Sequence, residues 1–515
     1  MLAPARLLPA CALALCLAWP VSADDRNLPG RVRRAAAAKG DDPGQADTGG
    51  RGKRSKRKKA DADAPPDEPL TWLRVGAVHL GDGTVHAPGE LLLSGKKVHE
   101  VGSSLEPDED RAVRRLDWPD AVITPPLVDP AVLVPLGSGE QRGAVGNAAL
   151  TTKDARDSHD PWLKELRGRG VDAVTLVPDG AGSFHGRAVT IGTKGPGAKG
   201  APVLVAEAGL ITSLTSGSGS SAGRAAARAR LEAELENAAR YSKKWKEYRK
   251  QEKADEGKKQ DQLDREKREQ QREAERRKRG KTPRIELKKR VKKPNRNEGQ
   301  EILVKVLEKK VPLRLLVDRE EDVATALELV QRRDLPAVLA GCIECRDWAG
   351  TLEQSQLVVL LDPLNEPLRE GDRGTPSADT IAALGEAEVR IAVTGGGRWP
   401  EGPTWLRTAA AELAGRGLEP AEAVAAMTGE AAVAAGLVKY PDRLAAGEKA
   451  GLIIWSGDPL DPSSTILHRV TDGKGLPEPE PTPGEDDGDT EGEDADSHSQ
   501  TAPSTQPDDD EEADS

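Results

Sequence analysis

Cys342-Ile343-Glu344-Cys345 is the tightest grouping of reactive side chains in this sequence of 515 residues. A C-x-x-C step can serve as a redox dithiol or as half of a zinc site. The only other cysteines, Cys11 and Cys16, lie in an N-terminal apolar run, so no second pair exists to complete a four-sulfur site. A structural pair is therefore expected, closed as a disulfide if the chain is exported. Asp129, Asp318, Glu344 and Asp362 each lie at or soon after the end of an apolar run of β character. Carboxylates so placed can act as general acid and base. Of the seven histidines, His185 alone falls in a glycine-rich loop, DGAGSFHG, between two strand-like runs. His79, His86, His99, His159, His468 and His498 fall elsewhere, and one imidazole does not make a metal centre.

These residues need a scaffold, and the chain alternates foldable and polar tracts. Residues 1–23 read as an export signal, with Arg6, an apolar core from Leu7 to Trp19 and the small residues Val21-Ser22-Ala23 at the cut. The expected location is the periplasm, the cell envelope or beyond. No later stretch has about 20 consecutive apolar residues, so no membrane-spanning helix is expected in the mature chain. Residues 24–69 form a polar linker containing the basic run RGKRSKRKK, and residues 476–515 an acidic, proline-rich tail. Both are expected to be disordered. The net charge of −11 hides this segregation, so local charge is the better guide to partners.

Between these tracts, residues 70–120 show short β runs broken by Gly-Asp-Gly and Ala-Pro-Gly turns. Strands are expected at 72–80, 90–93, 97–101 and 112–116. Strand and helix patterns then alternate, with strands near 171–178, 202–206, 313–317, 336–340, 357–361 and 389–394. Helices are expected at 160–167, 320–332, 401–416 and 420–436, an order that argues for a parallel α/β arrangement. Residues 224–300 interrupt it. Leu231, Leu235, Ala238, Tyr241, Trp245 and Tyr248 repeat at helical spacing, and beyond Arg249 nearly every side chain is charged or amide. This is expected to be a charged helical insertion. Its basic end, with Arg276, Arg277, Lys278, Arg279, Lys288, Lys289 and Arg290, could meet a polyanion.

Three stretches resemble the metal-dependent amidohydrolase superfamily, in its large, exported, imidazolonepropionase-like form. In VITPPLVDPAVLVPL, residues 122–136, Thr124, Pro125, Leu127, Val128 and Asp129 match the opening of the first barrel strand. Near His185, Gly186, Ala188 and Val189 match a glycine-rich motif. At the other end Gly447, Lys449, Ala450, Leu452, Ile453, Trp455, Gly457, Asp458, Pro459 and Leu460 match the terminal segment. The resemblance implies a TIM-like (β/α)8 barrel over 121–436. It also implies a small β-sandwich built from 70–120 and 437–475, and zinc or a similar divalent metal at the strand ends. Yet the implied ligand positions read Ala131, Leu133, Leu316, Gly341 and Gly396.

The resemblance thus implies a degenerate member with no catalytic residues and no metal, a pseudoenzyme with a binding or assembly role. An active amidohydrolase-like protein could be its partner. Asp129, His185, Asp318, Cys342 and Cys345 remain candidates for the barrel mouth, Asp129 in a structural role. Two alternatives stay open. One is an active hydrolase of non-peptide C–N bonds with an unrecognised site at His185 or Cys342 and Cys345; the other is a polyanion-binding scaffold.

Overall fold

The computed structural model describes residues 69–107, 111–135, 147–154, 157, 159–180, 182–194, 200–214, 221–257, 260–280, 291–364, 375–398, 405–437 and 443–477. The expected export signal, nearly all of the linker and tail, and Lys288, Lys289 and Arg290 lie outside these residues. Among the described residues no helix is long and apolar enough to cross a membrane.

The chain first lays down β1 (Leu70–His79), β2 (Val85–His86), β3 (Gly89–Ser94), β4 (Lys97–Gly102) and β5 (Val113–Thr124). Leu73 and Val75 of β1 alternate into the core with Leu91, Leu93 and Val98, and an irregularity between Val75 and Ala77 brings Val78 to the same side.

Eight further strands follow: β6 (Leu127–Pro135), β7 (Val171–Asp179), β8 (Phe184–Gly192), β9 (Val203–Ser213), β10 (Leu313–Val317), β11 (Ala337–Gly341), β12 (Val358–Leu361) and β13 (Ile391–Val393). They hydrogen-bond in chain order into one sheet. Its first and last strands meet through an isolated bridge between Leu133 and Arg398, where Leu133 N–H donates to Gly397 O at 2.9 Å. The sheet is thus a nearly closed barrel. One strand departs from the expected all-parallel order: β8 runs antiparallel to both β7 and β9. Only four residues separate β7 from β8, too few for a crossover, so the glycine-rich loop makes a hairpin and His185 falls on a strand.

Helices cover the barrel. α1 (Pro161–Gly168) begins at Asp160, whose side chain accepts from Trp162 N at 2.9 Å. The insertion comprises α2 (Ser221–Glu256) and α3 (Gln260–Lys278), followed by α4 (Glu298–Leu307). Then come α5 (Glu320–Arg333), α6 (Ala349–Ser355), α7 (Ala378–Glu386), α8 (Leu406–Gly415), α9 (Pro420–Ala426) and α10 (Gly429–Ala434). The outward side chains of the strands share one core with these helices. The near end of α2 belongs to it, since Leu231, Leu235 and Ala238 are fully buried. Arg228 and Arg332 add ion pairs to Glu328 and Glu232, each at 2.7 Å. Tyr241, Trp245 and Tyr248 continue the stripe, their rings meeting edge to face.

Finally β14 (Gly451–Trp455) pairs with β5, and β15 (Ile466–Thr471) with β14. Strands from before and after the barrel therefore share one sheet, where a small sandwich was expected. That sheet has seven strands, ordered β15-β14-β5-β1-β3-β4 with β2 on β1. Trp455 Nε1 donates to Thr124 Oγ1 at 2.9 Å, which anchors this return just before β6 enters the barrel.

Candidate functional site

Alternation along the strands decides what the barrel holds. Ala131, Leu133 and Leu316 turn inward and pack with Val177, Ala188, Ala208 and Ile211. Ala131 and Ala340 both pack on a second cluster of Val338, Val358, Leu360 and Ala392. Three of the implied ligand positions are therefore brought together, and they form an apolar layer. The inward residue near the end of β11 is Ala340. Gly341 has φ +106°, and a Cβ there would lie 2.5 Å from both Asp318 Oδ1 and Val317 O. Gly396 has φ +69° and lies against Asp362, whose Oδ1 would be 3.2 Å from an added Cβ.

Asp129 sits below this layer, fully buried. It accepts from Ala131 N at 3.1 Å, Thr394 Oγ1 at 2.8 Å and Gly395 N at 3.2 Å. These bonds reach from β6 to the end of β13, so the carboxyl group stitches the barrel where no ladder does. Burial pushes its pKa up to about 6; the three hydrogen bonds oppose the shift and nearby Asp362 adds to it. All three of these bonds join Asp129 to groups of the barrel itself.

Opposite it stands a residue that the sequence reading passed over. Arg314, on β10, is the second largest of the fully buried side chains among the described residues. Its Nη1 donates to Pro130 O at 2.7 Å and its Nη2 to Ala434 O at 2.5 Å, at the end of α10. Burial lowers its pKa to about 10, and the charge of Asp129 partly offsets the fall. Gly209 makes room for it, since a Cβ there would lie 2.8 Å from Arg314 Cγ. The lone charge inside LRLLV, at an inward position of an apolar strand, was the signal that could have found it.

The other candidates spread around the rim. His185 is buried at the start of β8, where burial depresses its pKa more than Asp179 raises it. Asp179, ending β7, pairs instead with Arg398 at 3.1 Å. Cys342 and Cys345 are fully buried free thiols. The expected disulfide is not formed; Cys345 Sγ turns back to the Cys342 carbonyl at 3.0 Å. A hydrogen bond with Cys345, then burial and the charges of Cys345 and Asp318, raise the Cys342 thiol well above its usual pKa.

Zinc takes three or four nitrogen, sulfur or oxygen donors at about 2.0–2.3 Å from one centre. Among the described residues no three His, Cys, Asp or Glu side chains are grouped to hold a metal ion. The described donors do not fit the metal that the resemblance implies. A surface pocket of about 450 Å³ lies elsewhere, lined by Lys153, Arg187, Glu207 and Lys310 near the entry ends of β9 and β10.

The solved structure of an amidohydrolase from Thermotoga maritima superposes with a TM-score of 0.58 at 20% identity, covering 79% of this chain and 99% of that one. This chain has that amidohydrolase's fold. Molinate hydrolase gives a TM-score of 0.41 at 13% identity over 80% of this chain and 95% of its own. Ochratoxinase from A. niger gives 0.42 at 13% identity over 79% and 96%. No family model and no curated protein matches the chain. The amidohydrolase fold therefore rests on coordinates, beside the motifs at the two chain ends.

Proposed function

We propose that this chain is an exported amidohydrolase-fold protein that has lost its metal centre and serves in binding or assembly. The observation that carries the reading is the apolar packing of Ala131, Leu133 and Leu316 in the barrel. A methyl or isobutyl group offers a metal no lone pair, and a hydrolase of this fold would need the ion to lower the pKa of its water. Arg314 and Asp129 fill the space beneath, each hydrogen-bonded to neighbouring protein groups. The test is hydrolysis of a panel of amides, lactams and carbamates by the whole chain, with zinc or manganese supplied. The expected result is no turnover above the buffer rate. Saturable turnover that chelator abolishes, and that metal restores, overturns the reading.

A second reading has its own support. Arg277, Lys278 and Arg279 are exposed at the end of α3, and among the described residues only Arg276 of this cluster has an ion pair, 3.8 Å from Glu273. Polyanion binding there should weaken steeply with salt. It should also fall on deletion of residues 276–293; an unchanged salt slope after deletion dismisses it.

A further inference from the structure

We propose that the basic end of the helical insertion is a docking surface for this chain's own acidic C-terminal segment, residues 478–515. The inference does not depend on the loss of the metal centre.

Charge is the first argument. Residues 478–515 hold sixteen Asp and Glu and no Lys or Arg, and they turn a remainder of +5 into the chain's net −11 at neutral pH. The complementary surface is local. Arg277, Lys278 and Arg279 stand exposed in and just beyond the last turn of α3, and Lys292 and Lys293 are exposed on the returning chain. That return is held to the insertion: Val291 N donates to Gln251 Oε1 at 2.7 Å, and Asn297 N to Tyr241 OH at 3.2 Å. The basic groups are thus carried on ordered backbone. Cations at a helix C-terminus are favoured by its dipole, and among the described residues Arg277, Lys278 and Arg279 have no carboxylate ion pair, so they keep their charge for another anion.

Reach is the second argument. The chain leaves the described residues at Pro477, whose carbonyl accepts from Arg114 on β5. Thirty-eight residues at full extension span about 130 Å, against about 54 Å for the whole 36-residue α2. A tethered segment also competes at an effective concentration on the order of millimolar, which an external polyanion must exceed. The acidic segment therefore occupies the surface first, and a nucleic acid or anionic polymer binds only by displacing it.

Zero-length carbodiimide cross-linking of the whole chain, read by peptide mass spectrometry, tests this directly. Cross-links from Lys278, Lys292 or Lys293 to carboxylates of 478–515 should appear in the monomer band. They should vanish near 1 M salt, where the screening length is about 3 Å. A chain ending at Pro477 should leave a heparin column at higher salt than the whole chain. Changing Arg276, Arg277, Lys278 and Arg279 to Gln in the shortened chain should reverse that shift. A whole chain with the sixteen tail carboxylates changed to Asn and Gln should behave like the shortened one. Absent cross-links, cross-links found only in dimers, or a heparin shift that survives the four Gln substitutions would each overturn the proposal.

Discussion

Asp129→Asn isolates the strongest electrostatic claim made for the barrel. The carboxyl group is fully buried, faces Arg314 from β10 and Asp362 from the end of β12, and accepts three hydrogen bonds across the seam. Its pKa rises from 3.8 to about 6 in the folded chain. The folded state therefore holds a proton that the unfolded state has released between those values, and stability from this group falls as pH rises through that window. The shift corresponds to about 3 kcal/mol, most of it lost between pH 4 and pH 7. Asn cannot titrate, so its curve lacks this slope, although its amide presents a donor where the carboxylate accepted one and costs about 1–3 kcal/mol at all pH values. Urea unfolding of both proteins from pH 4 to pH 7.5 reads the difference. The gap in stability between wild type and variant should narrow by about 2–3 kcal/mol across that range. Parallel curves would refute the assigned environment of Asp129.

Arg314→Ala should cost about 3–5 kcal/mol in denaturant unfolding, because it empties a filled barrel floor and strands two buried carbonyls. Gly209→Ala should cost about 1–3 kcal/mol alone and less beside Arg314→Ala, which removes the Cγ that the added Cβ meets and leaves only the backbone cost at φ +150°; fully additive losses would contradict that packing. Cys342 and Cys345 should resist alkylation in the native protein and both react once it unfolds; fast native labelling would contradict their burial.

Much of the architecture was legible because it is written in local rules. Period-two alternation and Gly-Asp-Gly turns marked β1, β3 and β4, and the motifs at 122–136 and 447–460 led to strands that meet at Thr124 and Trp455. The stripe from Leu231 to Ala238 is the buried face of α2. What escaped notice depends on tertiary context. The reversal at β8 turns on the four-residue length of its connection to β7, which the glycine-rich motif around Gly186 obscured. Arg314 reads as a surface charge until the barrel closes around it and Gly209 gives it room. At the end of β11 a one-residue step exchanges the faces of the strand, and it is Ala340, beside Gly341, that packs on the inner cluster.

Metal content is the most direct test of the central claim that the barrel lacks a metal centre. The whole chain, purified without chelator from cells given zinc and manganese, should retain far less than one metal ion per chain by elemental mass spectrometry after dialysis. One or two ions held tightly per chain, and located within the barrel by anomalous scattering, would contradict the account.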